Sequence, residues 1–302
     1  MKKLLSIAIA FLFFNQLSGQ NFFSDFIKYQ ESDDSANQLK TLKAWEAANI
    51  NDAELYTSYL NYYFAKSRTE NLVLATQMPD GQTIALADST GKDVGYFSSQ
   101  VEYAKTELLK GIDWINRGIA LYPDRLDMRL GKIYALGELQ DWNSFTSNII
   151  DAVHRSAVNN NEWTWTNNEK VNYGKQNFLA SLQDYQKQLF DSGNQALLMK
   201  MGEIAEEILK IYPDHVESLS NLSVASIVSK DYAKAIDLLL KAEKISPQDY
   251  IVLMNLAHCY REQGDKTRAI EYYEKVKKYA DGEALEYAKS QIKELKKGSA
   301  DK

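Results

Sequence analysis

Residues 216–249 read VESLSNLSVASIVSKDYAKAIDLLLKAEKISPQD, and residues 250–283 read YIVLMNLAHCYREQGDKTRAIEYYEKVKKYADGE. In register they repeat at 34 residues: Leu219 falls on Leu253, Asn221 on Asn255, Leu222 on Leu256, Asp231 on Asp265, Ala235 on Ala269, Ile236 on Ile270 and Leu239 on Tyr273. A fixed period of this length marks a chain built from stacked supersecondary units. Each unit divides into two helices. Leu219, Leu222 and Ala225 to Ile227 recur at steps of three and four, so they share one helical face. Asp231 stands where its carboxylate can accept from the free amides of a second helix, whose apolar stripe is Ala235, Leu238, Leu239 and Ala242. Pro247 follows that helix, where a missing N–H does no harm. Gly264-Asp265 reads as a helix stop followed at once by a start.

This pattern resembles the tetratricopeptide repeat (TPR) family, whose period is 34 residues. The matching residues are Leu219, Leu222, Ala235, Leu239, Ala242 and Pro247, then Leu253, Leu256, Ala257, Tyr260, Ala269, Tyr273 and Val276. Ser223, Ser226 and Asp281 depart from it, standing where the family carries Gly, Tyr and Pro. The resemblance implies an all-α fold, a TPR-like α-solenoid of antiparallel helix pairs. Ala235 and Ala269 would sit at close helix crossings, where overpacking costs about 1–3 kcal/mol. It also implies a non-enzymatic interaction module or assembly scaffold that uses the concave groove of a superhelix. The groove-facing positions would be Glu217, Ser220, Val224, Ile227, Ile251, Met254, His258 and Arg261. A clamp for a C-terminal carboxylate needs basic residues that the first of these units lacks. The expected partner is therefore a protein or peptide laying an apolar segment on Val224, Ile227, Ile251 and Met254.

Upstream the same texture continues in degenerate form. Tyr122-Pro123-Asp124 and Tyr212-Pro213-Asp214 each follow an apolar helix, and Asp214 with Glu217 makes a capping-box-like start. Thr166 with Glu169 would cap a helix running from Asn168 to about Phe190. Leu130, Gly131 and Tyr134 read as a first helix, and Asp141 to Ala152 as its partner. Leu39 to Trp45 and Ala53 to Tyr63 look alike, which gives about five helical hairpins. One stretch breaks the pattern: Leu72-Val73-Leu74 and Thr83 to Leu86 flank the turn sequence Met78-Pro79-Asp80-Gly81. It predicts a small inserted β-hairpin near 70–88. A final helix over about 282–296 would end the stack, with Lys293, Lys296, Lys297 and Lys302 as its solvated face. The expected division is a signal segment at 1–20, a degenerate TPR-like region at 21–190, and TPR repeats with a capping helix at 191–302.

Composition is consistent with this. Fourteen Gly and 4 Pro among 302 residues leave little turn chemistry for a many-stranded β protein, and one Cys excludes a disulfide framework. The net charge of −6 gives no general attraction to phosphate backbones, so nucleic acid is not an expected partner. Lys2 and Lys3 precede an apolar run from Leu4 to Phe14, too short for the roughly 20 residues a membrane span needs. Small residues follow at Ser18 and Gly19. This predicts an export signal, a periplasmic or secreted mature chain, and no stable membrane insertion after cleavage. Gln20 stands where a lipoprotein would carry Cys. Removing Lys2 and Lys3 with no acid takes the net charge from −6 to −8.

Residue types suited to catalysis are sparse. His154, His215 and His258 share no metal-ligand spacing. His258 and Cys259 are adjacent, so a helix points them about 100° apart, and Cys259 is expected in the core. Gly91-Lys92 continues with Asp93 and makes no phosphate loop. Asp33-Asp34 and Glu206-Glu207 read as solvated surface. Neither an enzyme nor a cofactor or metal is expected. The alternative function is a periplasmic glycan- or peptide-binding protein using the segment Asn159 to Asn168. There Trp163 and Trp165 share a face if extended, either as a stacking platform or, with the greater weight, as a plug over the core.

Overall fold

The computed structural model describes residues 21–78 and 83–297. The expected signal segment, the Pro79 to Gly81 part of the expected turn, and Lys302 lie outside the described residues. The fold is an all-α stack with a small β insertion. Its helices are α1 (Phe22–Glu31), α2 (Ser35–Ala48), α3 (Ala53–Ser67), α4 (Lys105–Leu121), α5 (Leu126–Glu138), α6 (Trp142–Val158), α7 (Gly174–Asp191), α8 (Gln195–Ile211), α9 (Val216–Val228), α10 (Tyr232–Ile245), α11 (Tyr250–Glu262), α12 (Lys266–Tyr279) and α13 (Gly282–Lys297). Among the described residues they form six consecutive pairs and a last helix, one pair more than the sequence suggested. Each helix packs chiefly on helices one or two places away along the chain. The buried side chains accordingly fall into successive stretches, 26–62, 53–212 and 219–292, rather than one central ball.

One local turn recurs through the stack. In five of the six pairs a left-handed residue ends the first helix and an Asp or Asn then caps the second. These are Asp33-Asp34, Gln140-Asp141, Gly193-Asn194, Lys230-Asp231 and Gly264-Asp265. In four of them the amide of the capping Asp also donates to the carbonyl five residues back: Tyr29, Leu136, Ser226 and Tyr260. This satisfies carbonyls that a helix end otherwise leaves free. Asp33-Asp34 is therefore a working turn, not merely solvated surface.

The starts of the first helices are less uniform. Asp52 and Asp249 cap α3 and α11, whereas Arg125 and His215 occupy the same place before α5 and α9 and provide no side-chain cap. The expected Asp214/Glu217 box is thus not formed. Nor does a helix begin at Asn168. Thr166–Asn168 is a separate 3-10 turn, because Asn167, Asn168 and Tyr173 all take positive φ, and α7 starts only at Gly174.

The remaining pair, α3 and α4, carries the insertion. It is a three-stranded antiparallel sheet and not the expected hairpin. β1 (Arg68–Ala75) and β2 (Thr83–Ala87) do not pair with each other; both pair with β3 (Asp93–Tyr103), which lies between them. Ser98, Ser99 and Gln100 dilute the apolar alternation of β3, which hid it. The sheet leaves and re-enters the stack at one point, where the Ala104 amide donates to the Ser67 carbonyl at 2.8 Å. Register places Leu72, Leu74, Ile84 and Phe97 on one exposed face.

Candidate functional site

Apart from the β insertion, the loop between α6 and α7 is the longest connection between described helices, and it is held by hydrogen bonds on both sides. Trp163 to Trp165 runs extended between two neighbours. On one side Thr164 N–H donates to the Asp124 carbonyl and Leu126 N–H to the Thr164 carbonyl, both at 2.9 Å. On the other, Trp165 N–H donates to Glu169 and Val171 N–H to Trp163, at 2.7 and 2.9 Å. The two indoles then separate by depth. Trp163 is 0% exposed and packs on Phe178 with ring centroids 5.1 Å apart, whereas Trp165 is 44% exposed. A platform made from both rings does not form; Trp163 fills the core and Trp165 alone presents surface. Gly174 allows α7 to start beneath this loop, since a Cβ there would lie 2.3 Å from the Asn161 carbonyl oxygen.

A buried ion cluster locks the loop to the stack. Arg125, 1% exposed, donates to Asp127 at 2.9 and 2.7 Å and to Glu54 at 2.8 and 3.2 Å. Glu54 also accepts from the Asn167 amide at 2.8 Å. Burial disfavours the guanidinium charge, but Asp127 and Glu54 outweigh it and hold the Arg125 pKa above its ordinary value. A second tie joins Asp124 to Arg155 at 2.8 and 2.9 Å and to the Asn159 amide at 2.8 Å. The Arg155 hydrogen bonds hold the Asp124 carboxyl below the usual carboxylate range.

Two depressions flank α7 where this loop ends. One, of about 430 Å³, is lined by Leu126, Trp165, Val171, Ser181 and Asp184 among others. The second, of about 560 Å³, includes Lys175, Gln183, Asp184, His215 and Glu217. Ala180 and Asp184 line both, so the two meet over one turn of α7. His215 is pinned, with Nδ1 2.8 Å from Ser218 Oγ and Nε2 3.1 Å from Glu217. Burial lowers its pKa. The Lys175 ammonium lies 5.0 Å from the Tyr212 ring centroid. Arg125, Tyr173 and His215, none of which provides a side-chain cap, thus start α5, α7 and α9 in succession. That loss of regularity is the sequence signal for this site, because Asn21, Asp52 and Asp249 mark what those positions otherwise hold.

The groove positions expected downstream are placed as follows. Glu217 and Ile251 are exposed, Ile251 at 53%. Ser220, Val224, Ile227, Met254, His258 and Arg261 are partly buried. Val224 packs on the upstream core, and Ile227 and Met254 on the downstream one, so the apolar strip is narrower than the spacing implied. Arg261 reaches Gln291 and the Tyr287 hydroxyl on α13 and also approaches His258 Nδ1 at 3.1 Å. Burial lowers the His258 pKa, with Arg261 adding to the effect. Cys259 turns away into the core, and burial pushes its thiol up to about 12. Asn221 is not available to a groove ligand, since its amide donates to Gln183 and Gln186 on α7 at 2.9 and 3.1 Å. Among the described residues there is no group of three His, Cys, Asp or Glu able to hold a metal, and no helix long and apolar enough to cross a membrane.

Comparison with known proteins gives a limited set of likenesses. Residues 217–297 match the family model "Regulator of microtubule dynamics protein 1-3", which covers about a quarter of the chain. No curated protein matches significantly. Among solved structures, the C-terminal part of a TPR repeat-containing protein from Cytophaga hutchinsonii is 13% identical, with 90% of this chain and 95% of that chain covered and a TM-score of 0.45. A tetratricopeptide repeat protein from Parabacteroides merdae is 11% identical over 91% and 85%, with a TM-score of 0.39. A thermophilic TPR protein of Thermus thermophilus is 13% identical over 62% and 92%, with a TM-score of 0.38. The repeat character of this chain rests on its own 34-residue spacing and on the turns that recur through the stack.

Proposed function

We propose that this chain, a stack of TPR-like helix pairs, is a non-enzymatic interaction module or assembly scaffold whose first-helix face seats a segment of a partner protein. The observation that supports this is the pair of depressions meeting over Ala180 and Asp184, the second lined by Glu217 at the start of α9, with Ile251 exposed at the start of the next first helix. Helix-pair arrays bind by such preformed surfaces, with little rearrangement of the scaffold. The basic and apolar N-terminal segment supports export, and Gln20 in place of Cys supports a chain without a lipid anchor at that site. The partner is then met in the periplasm or outside the cell. A photo-crosslinking residue at position 180 should capture a discrete partner from the native cell envelope, and one at Lys241 on a second helix should not. Ile251→Glu with Met254→Glu should reduce that capture at least tenfold. Equal capture from both positions, or capture indifferent to the double variant, would remove the basis for this face.

A further inference from the structure

We infer that the depression between α5, α7 and the Trp165 loop is a subsite for a cationic side chain, an arginine or lysine carried by an extended partner segment. This rests on the face proposed above and names what one part of it selects. Its lining combines the exposed indole of Trp165 with the carboxylate of Asp184. An aromatic face and a carboxylate both attract a cation, and a guanidinium can stack on one while pairing with the other.

The polar groups around the cavity decide between a cation and a neutral ligand. The Asn177 side-chain amide donates to the Asn172 carbonyl at 2.7 Å, and the Ser181 hydroxyl donates to the Asn177 carbonyl at 2.9 Å. The Ser181 hydrogen and one of the two Asn177 amide hydrogens are thus committed inside α7 and its approach, which reduces the donors left for a neutral ligand. The Asp184 carboxylate makes no hydrogen bond or ion pair among the described residues. The lysines nearest along the chain are engaged elsewhere: Lys187 pairs with Asp191 and Lys170 with Glu162. Arg125, behind Leu126, is more than balanced by Glu54 and Asp127. Lys175 shares the second depression with Asp184 but is not paired with it, and its ammonium lies over the Tyr212 ring. The cavity therefore presents an unpaired carboxylate beside an indole, in a chain of net charge −6. The loop that supplies Trp165 is already held by Trp163 and Arg125, so ordering it adds no cost on binding.

The test uses the full chain and labelled peptides of sequence Ac-GLXLG-NH2, with X arginine, lysine, citrulline or glutamate, read by fluorescence anisotropy. The arginine peptide should bind saturably and at least tenfold more tightly than its neutral isostere with citrulline, with lysine between them and glutamate weakest. Asp184→Asn should bring arginine to the citrulline level, and Trp165→Leu should weaken it at least tenfold, both with an unchanged thermal melt. Equal binding of arginine and citrulline, indifference to Asp184→Asn, absence of saturable binding, or displacement by a neutral oligosaccharide would each overturn the inference. Partner capture from position 180 that survives Asp184→Asn, together with any of these, would leave the face intact and sink only the cationic subsite. Peptide selectivity without any capture would do the reverse.

Discussion

Residues 216–297 and residues 53–212 build the same object by different means. The downstream half is held by period: small residues at Ala235, Ala242, Ala257 and Ala269 let helices approach, and aspartates at 231, 249 and 265 cap them. The upstream half has lost most of that spacing and is fastened by long-range polar ties. Arg125 reaches Glu54, the Tyr122 hydroxyl reaches the Asn51 carbonyl, and the Tyr212 hydroxyl lies 2.7 Å from Ser156 Oγ and 2.9 Å from Asn161 Oδ1. Tyr185 likewise donates to the Leu130 carbonyl at 2.8 Å. Where pattern is relaxed, specific long-range hydrogen bonds take over the task of fixing how neighbouring layers sit. The buried ones, Arg125 to Glu54 and Tyr212 to Ser156, are costly to break, because each leaves a partner buried and unsatisfied.

The contrast can be broken at its upstream fasteners. Arg125→Ala strands Glu54 and Asp127, and a loss of about 3–5 kcal/mol is expected. Four of the five tryptophans lie within residues 53–212 and the fifth, Trp45, precedes them, so their fluorescence reports the chain upstream of residue 216 while circular dichroism reports all of it. In urea, Arg125→Ala should move the fluorescence transition ahead of the dichroism one; transitions that stay coincident would show the two halves to be one cooperative unit. Trp163→Ala should cost a similar amount, about 3–5 kcal/mol, through the cavity it leaves. Trp165→Ala should stay within about 0.5 kcal/mol, as surface changes do. A large loss at Trp165 would mean that it too is structural.

Smaller effects sharpen the common ground. Asp141→Ala and Asp231→Ala remove the same cap in opposite halves, and each should cost about 1 kcal/mol by thermal denaturation. Unequal losses would show that the shared turn is not equivalent in the two settings. Lys230 holds φ at 61° where Gly264 holds 80° in the next repeat. Lys230→Gly should therefore stabilise by a few tenths of a kcal/mol up to about 1, and Gly264→Ala should destabilise by about 1. A fall in melting temperature for Lys230→Gly would contradict the strain assigned to that turn.

The same contrast explains what could be read from the chain. Residues 216–283 announce their helices because apolar spacing, caps and stops agree with one another. The turn at Asp33-Asp34 was not legible, since two adjacent acids look alike on any surface, and only φ at Asp33 shows which is turn and which is cap. β3 went unseen because its middle is polar, and its partners were joined to each other instead. For the site, sequence placed Trp165 and Glu217 near an interaction surface but gave no hint of Asp184 or Ala180. Their positions on α7 depend on where that helix begins, and three left-handed residues, Asn167, Asn168 and Tyr173, set that start.

The sheet between α3 and α4 also has a kinetic consequence. Every other pair closes over a turn of a few residues, but α3 can meet α4 only after the chain from Arg68 to Tyr103 has looped back to the Ser67–Ala104 bond. The longer loop raises the closure cost by about 2 kcal/mol over a four-residue turn. Unless the strands zip first and draw their own ends together, this joint is where propagation along the stack should pause. The insertion would then act as a timing element in assembly, separating the early association of α1, α2 and α3 from the layers beyond.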